Sequence, residues 1–264
     1  SLIIMYSEEH KRYLKREKNK KQLITFFKIA IIVIFLLVWE FAARFEIINP
    51  FLSSYPTKVI TTAIDLYTQN NLMSHILVTL YETLISFSLA SVIGLLIASI
   101  LWSNKTISRI LDPYLTVLNS LPKISLGPLI IIWIGANTKS IIFMALLISV
   151  FTTIISMYNA FITTDKSKII LMRSFGATKL QLFTKLVLRG NTKSLVNTLK
   201  INISLSLIGV IMGELLVSKK GLGYLITYGS QVFNLNLVIT SIFILGIMSY
   251  ILYILIDLFE KKMK

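Results

Sequence analysis

Residues 165–190 read DKSKIILMRSFGATKLQLFTKLVLRG. The stretch is too polar to cross a bilayer and too regular for a slack connector. Ser174-Phe175-Gly176-Ala177-Thr178 reads as a turn between two short helices. Gly176 takes positive φ without steric cost and ends the first helix. Thr178 with Gln181 matches the T-x-x-Q capping box and starts the second. Leu182, Phe183, Leu186 and Val187 then make one apolar face, ringed by Lys179, Lys185 and Arg189, with Gly190 as a stop. A helix–turn–helix presenting Phe175 and Ala177 suits a groove in a partner. The same pattern also suits an amphipathic connector resting on a bilayer surface, and the pattern alone leaves both open.

What flanks the stretch decides the class. The chain has 264 residues, 55% hydrophobic and 15% charged, against roughly 25% charged in soluble domains. Its apolar residues fall in runs near the ~20 residues needed to cross a bilayer. Spans are expected at about 23–43, 74–101, 139–163, 194–217 and 235–258. Lys28 and Glu40 sit near the ends of the first, where side chains snorkel. A further segment, ILDPYLTVLNSLPKISLGPLIIIWIG, is interrupted by Pro122 and Pro128, each of which removes a backbone donor. Broken backbone inside a bilayer is tolerated where protein buries it or where it lines a wet cavity; the alternative is a simple proline kink. Residues 57–72 suit a short amphipathic helix along the outer face. Residues 218–234, SKKGLGYLITYGSQVFN, read as a glycine-punctuated loop dipping toward the membrane.

Six spans with the N-terminus inside place 19 of the 27 Lys and Arg in inner regions and five in outer loops. That positive-inside bias puts residues 165–190 in the cytoplasm, with both termini inside. The net charge of +15 is thereby a loop bias, and no nucleic-acid partner is implied. Residues 1–21 carry seven Lys or Arg and read as a basic cytoplasmic tail at an anionic lipid surface. The long apolar run behind it lacks a small-residue cleavage site, so it reads as a span and not a cleavable signal.

Catalytic and metal constellations are missing. There is no cysteine, His10 and His75 lack ligand spacing, and no G-x-S-x-G elbow accompanies the serines. No G-x-x-x-x-G-K-[ST] phosphate loop is present. A lipid enzyme would need a carboxylate or His cluster at one face, which this sequence does not gather. In the fifth span, Asn202, Ser206 and Glu214 are intramembrane polar groups and so candidates for a translocation path; Glu214 could instead reach the outer interface or pair with Lys219 or Lys220. Lys200 is expected to snorkel inward. Gly209 and Gly213 form G-x-x-x-G, a close-packing signal. Trp39, Trp102 and Tyr228 read as interfacial anchors.

RSFGATKLQLFTKLVL resembles the cytoplasmic coupling loop of bacterial ABC importer permeases, LPKISLGPLIIIWIG the proline-broken third helix of the nitrate/sulfonate/taurine-type permeases, and GELLVSKKGLGYLI their fifth-helix end and periplasmic loop. The resemblance covers about residues 50–260. Where the family signature has Glu-Ala-Ala the chain has Ile170-Leu171-Met172, and where it has Leu-Pro the chain has Leu188-Arg189. The resemblance implies an all-α polytopic membrane protein of the type I ABC importer permease fold. It would have about six transmembrane helices, a single permease domain over 22–260, a coupling loop at 164–190 between helices 4 and 5, and a cytoplasmic end at 261–264. It implies a non-catalytic subunit: Arg173, Ser174, Phe175, Gly176, Ala177, Thr178 and Gln181 would contact the motor. Leu121, Pro122, Ser125, Asn202, Ser206 and Glu214 are path candidates, and Gly221 and Gly223 belong to the periplasmic loop. Implied partners are two ATPase subunits carrying ATP and Mg, a second permease copy completing a homodimer, membrane lipid, and an extracellular solute-binding lipoprotein or periplasmic binding protein. The competing function is an ATP-independent secondary transporter or channel.

Overall fold

The computed structural model describes residues 8–69 and 71–263. The first seven residues of the basic tail, and Lys264 of the 261–264 end, lie outside the described residues. All regular elements described are helices. Five are long and apolar enough to cross a membrane, and six if a bent pair counts as one span.

The chain divides into two units, residues 1–62 and 63–264. In the first, α1 runs Glu8–Arg44 without interruption, so the basic stretch after residue 7 is helical and continuous with the first span. Glu40 near its end accepts hydrogen bonds from the backbone N–H of Thr57 (3.0 Å) and from its hydroxyl (2.7 Å), and pairs with Arg44 at 2.6 Å. That cluster fixes the chain after α2 (Pro50–Ser53), where α3 (Pro56–Gln69) begins.

The second unit is organised by α4 (Leu72–Ser103), α7 (Thr138–Ile162) and α11 (Thr192–Val217). Small residues let these three approach closely, as apolar spans without a water-driven force between them require. A methyl on Gly94 would lie 2.6 Å from Thr153 Cγ2, and one on Gly213 would lie 3.0 Å from Ile141 Cα; Gly209 abuts the backbone of Ala145. The G-x-x-x-G pair therefore seats α11 on α7. Two buried hydroxyls in these spans return to their own helix: Ser149 Oγ donates to Ala145 O at 2.8 Å and Thr83 Oγ1 to Thr79 O at 2.7 Å. Asn202 crosses to α4, its Nδ2 donating to Ser91 Oγ (2.7 Å) and Phe87 O (3.3 Å).

The proline-interrupted segment is a true break. Helix α5 (Lys105–Ser120) and the run from a 3-10 turn (Lys123–Leu126) through α6 (Gly127–Ile134) meet at 82°. Leu121, held extended before Pro122 (ψ 141°), is where the helix stops, as steric conflict with a following proline dictates. The freed carbonyl of Asn119 is not orphaned: Lys123 Nζ donates to it at 2.8 Å. Pro128 falls in the first turn of α6, where its missing N–H costs nothing.

Residues 218–234 are more ordered than a dipping loop. They contain α12 (Leu222–Gln231), which packs with α13 (Leu235–Met263) around Leu222, Leu225, Leu237, Leu245 and Leu252. Lys200 does not run free toward the interface: its Nζ meets Asp257 Oδ1 at 2.5 Å and Glu260 Oε2 at 3.0 Å, tying α11 to α13.

Candidate functional site

Two polar regions sit at opposite ends of the α4–α7–α11 bundle. The first is the connector from α7 to α11. Asp165 caps α8 (Lys166–Ser174), its carboxylate accepting from Ser167 N at 2.9 Å. Helix α8 ends in a Schellman turn: Gly176 N–H donates to Arg173 O at 2.9 Å and Ala177 N–H to Met172 O at 3.1 Å, with Gly176 at φ 76°. The capping box then forms in both directions, Gln181 N donating to Thr178 Oγ1 (3.3 Å) and Thr178 N to Gln181 Oε1 (2.9 Å). Helix α9 (Lys179–Gln181) continues through a π turn (Leu182–Val187) into α10 (Leu188–Gly190).

Why this connector holds its place follows from its apolar face. Leu182 and Val187 are buried. Phe183 packs 5.3 Å from Trp102 of α4 and, edge-on, 5.3 Å from Phe161 of α7. Trp102 thus has a packing role beside any interfacial one. Asn191 clamps the two ends, its Nδ2 donating to Thr164 Oγ1 (2.7 Å) and Val187 O (2.8 Å). The inner face is thereby spent on the bundle, while the tip is not: Phe175 is 82% exposed and Leu180 72%. Arg173, Ser174, Gly176, Thr178 and Gln181 are exposed and Ala177 half-buried. The seven residues expected to contact a motor therefore gather on one small, rigid, outward-facing turn.

The second region is the far end of α11. Glu214 is buried and does not pair with Lys219 or Lys220 among the described residues. Its Oε1 accepts from Thr79 Oγ1 at 2.7 Å, and its Oε2 accepts from Gly223 N–H at 2.6 Å. Thr79 Oγ1 in turn accepts from Leu222 N–H at 2.8 Å, and Gly221 N–H donates to His75 Nδ1 at 3.1 Å. Three successive backbone N–H groups of the glycine loop are thus held by side chains. Gly221 has φ 112° and both glycines press on the Glu214 side chain, so no Cβ fits at either. Glu82 meets Glu214 and Thr138 through its carboxyl, and its Oε2 has no partner among the described residues.

The six path candidates divide between these surroundings and the break. Leu121, Pro122 and Ser125 are exposed at the bend between α5 and α6. Asn202, Ser206 and Glu214 are buried and spent on neighbours, Ser206 Oγ donating to Asn202 Oδ1 at 3.2 Å. The first set is thus exposed at the bend and the second buried in the bundle. The sequence alone singles out neither His75 nor Thr79 as a partner of this end of α11. The spacing was available: His75, Thr79 and Glu82 recur at i, i+4 and i+7, one face of a helix, though what that face met was not.

A family model described as "Binding-protein-dependent transport system inner membrane component" matches residues 90–264. The formylaminopyrimidine transport permease protein ThiX of Halalkalibacterium halodurans is 29% identical over 213 residues, 81% of this chain and 84% of that protein. The putative aliphatic sulfonates transport permease protein SsuC of Bacillus subtilis is 23% identical, covering 86% of this chain and 82% of that one. The taurine transport system permease protein TauC of Escherichia coli is 20% identical across 99% of this chain and 96% of that one. Among solved structures, a chain of the inward-facing MetNI methionine ABC transporter superposes with a TM-score of 0.66 at 22% identity, covering 73% of this chain and 96% of that one. That likeness shows the fold.

Proposed function

The chain belongs to the binding-protein-dependent transport system inner membrane component family, as a multi-pass permease of an ABC importer, and from that premise we propose that residues 165–190 are where its ATPase docks. The observation that carries this is the exposed Phe175–Leu180 tip on a connector whose other face is buried against α4 and α7. A large aromatic held in water by a Schellman turn and a capping box is a preorganised anchor for a partner's pocket.

On this reading two ATPase subunits, which carry ATP and Mg, grip two copies of the permease from the cytoplasm. Force entering at Phe175 passes through the π turn straight into α11. Helix α11 has 26 residues, about 39 Å at 1.5 Å per residue, and its far end holds the glycine loop through Glu214. Rocking α11 would therefore move the docking tip and the opposite loop as one body, the rigid-body switching that alternating access requires. The exposed bend at Leu121, Pro122 and Ser125 is assigned to the surface that faces the second copy and the passing solute, since broken backbone at that depth needs protein or water beside it. The cargo is a small solute delivered by an outer binding protein; the relatives are named for formylaminopyrimidine, aliphatic sulfonates and taurine. Glu214 is assigned as a positioning residue for the loop that receives it.

Reconstitution tests the docking proposal. Vesicles holding this chain, its ATPase and its binding protein are expected to take up solute only with ATP. Equal flux in vesicles holding this chain alone would overturn the proposal.

A further inference from the structure

Between the end of α4, the start of α5 and the inner side of α8 lies a cleft of about 680 Å³. Its rim carries four cations, Lys105, Lys166, Arg173 and Lys179, and no acidic side chain lines it. None of the four takes part in an ion pair among the described residues. The acid nearest in sequence, Asp165, has its carboxylate turned to the N-terminus of α8. The floor is apolar, built from the buried Leu101, Phe161 and Leu182.

Depth fixes what such a cleft meets. Helix α4 has 32 residues, about 48 Å, so it outruns a hydrocarbon core of about 30 Å and its last turns, with Trp102, reach the headgroup layer. A rim of unpaired cations over an apolar floor at that level matches an amphiphile with a phosphate at one end. A free anion would leave the floor in water. We propose that the cleft binds the headgroup of an anionic phospholipid, with the phosphate among the four cations and the first acyl methylenes against the floor. A lipid so placed wedges α8 against the bundle and sets how stiffly the docking tip is held.

The test uses the full chain in mild detergent, titrated with phosphatidylglycerol and, separately, phosphatidylcholine, with bound lipid counted by native mass spectrometry. Phosphatidylglycerol is expected to bind at least about tenfold more tightly, in line with the worth of several basic residues near an anionic headgroup. Lys105→Gln with Lys166→Gln is expected to remove most of that preference, and Lys105→Arg with Lys166→Arg to keep it. Neither lysine is among the seven residues expected to contact the motor, although Lys166 opens the 165–190 stretch, and both lie outside the Phe175–Leu180 tip, so a failure here leaves the docking proposal standing. Equal binding of the two lipids, or an unchanged preference in the double Gln variant, overturns the assignment. Displacement of the lipid by millimolar inorganic phosphate reassigns the cleft to a free anion. Displacement by stoichiometric ATPase reassigns it to the protein interface.

Discussion

Replacing Glu214 by alanine should loosen the glycine loop by an amount the structure allows one to estimate. Gly223 N–H, buried and 2.6 Å from Glu214 Oε2, loses its acceptor. Thr79 loses the carboxylate at 2.7 Å, although its hydroxyl has a second acceptor in His75 O at 3.2 Å. One net orphan remains, and a buried donor without a partner costs about 1–3 kcal/mol. At 1.4 kcal/mol per tenfold, the open form of the loop rises about 5- to 150-fold. The chain has no cysteine, so Leu222→Cys supplies a single thiol at a position 0% exposed in the native protein. Its labelling by a maleimide reports the open population while closing outruns modification. The expectation is labelling about 5- to 150-fold faster in Glu214→Ala/Leu222→Cys than in Leu222→Cys alone. Glu214→Gln keeps a carbonyl for Gly223 and should stay within about threefold of the parent, less than the ~1 kcal/mol of one exchanged hydrogen bond. Labelling of the alanine variant at the parental rate would refute the view that Glu214 holds this loop.

Other outcomes follow from the same geometry. Gly176→Pro cannot reach φ 76° and loses the N–H that closes the Schellman turn; ATP-dependent uptake should vanish while the protein still enters the membrane, as uptake and membrane-fraction blots would report. Ala177→Asp should likewise abolish uptake, by placing a charge beside the aromatic anchor, and normal uptake would count against the docking site. Gly209→Ala forces a methyl into the Ala145 backbone, whereas Gly246 has no neighbour within 4 Å. The first should lower detergent-phase stability by about 1–3 kcal/mol, the usual cost of overpacking, and Gly246→Ala should leave it unchanged.

The spans and the turn at Gly176 were legible because each is local. Gly176 and the Thr178–Gln181 pair act within four residues, and their turn and cap formed as the pattern dictated. Pro122 was legible as an interruption for the same reason, although the sequence left a simple kink open and marked Pro128, which the first turn of α6 absorbs, as an equal interruption. What escaped was long-range. Glu214 finds Thr79 across 135 residues of sequence and Lys200 finds Glu260 across 60, and no periodicity in one helix names the residue opposite it. The polar residues of the fifth span looked like one group, yet Asn202 reaches across to α4, Ser206 turns back to Asn202 on its own helix, and Glu214 joins Thr79 of α4 to the glycine loop. Helix α12 hid behind its glycines: GLGYLITYGS carries turn residues at both ends of an apolar core, and packing on α13 supplies the stability its composition lacks.

The claim on which the rest depends is that Phe175 enters a pocket of the ATPase. With no native cysteine in the permease, Phe175→Cys offers one thiol at the tip, and a short bifunctional crosslinker applied to the assembled transporter reads its neighbour directly. The expected product is a permease–ATPase adduct whose yield changes with ATP. An intact complex that gives no such adduct, or a thiol at the tip modified only from the outer side of sealed cells, would contradict it.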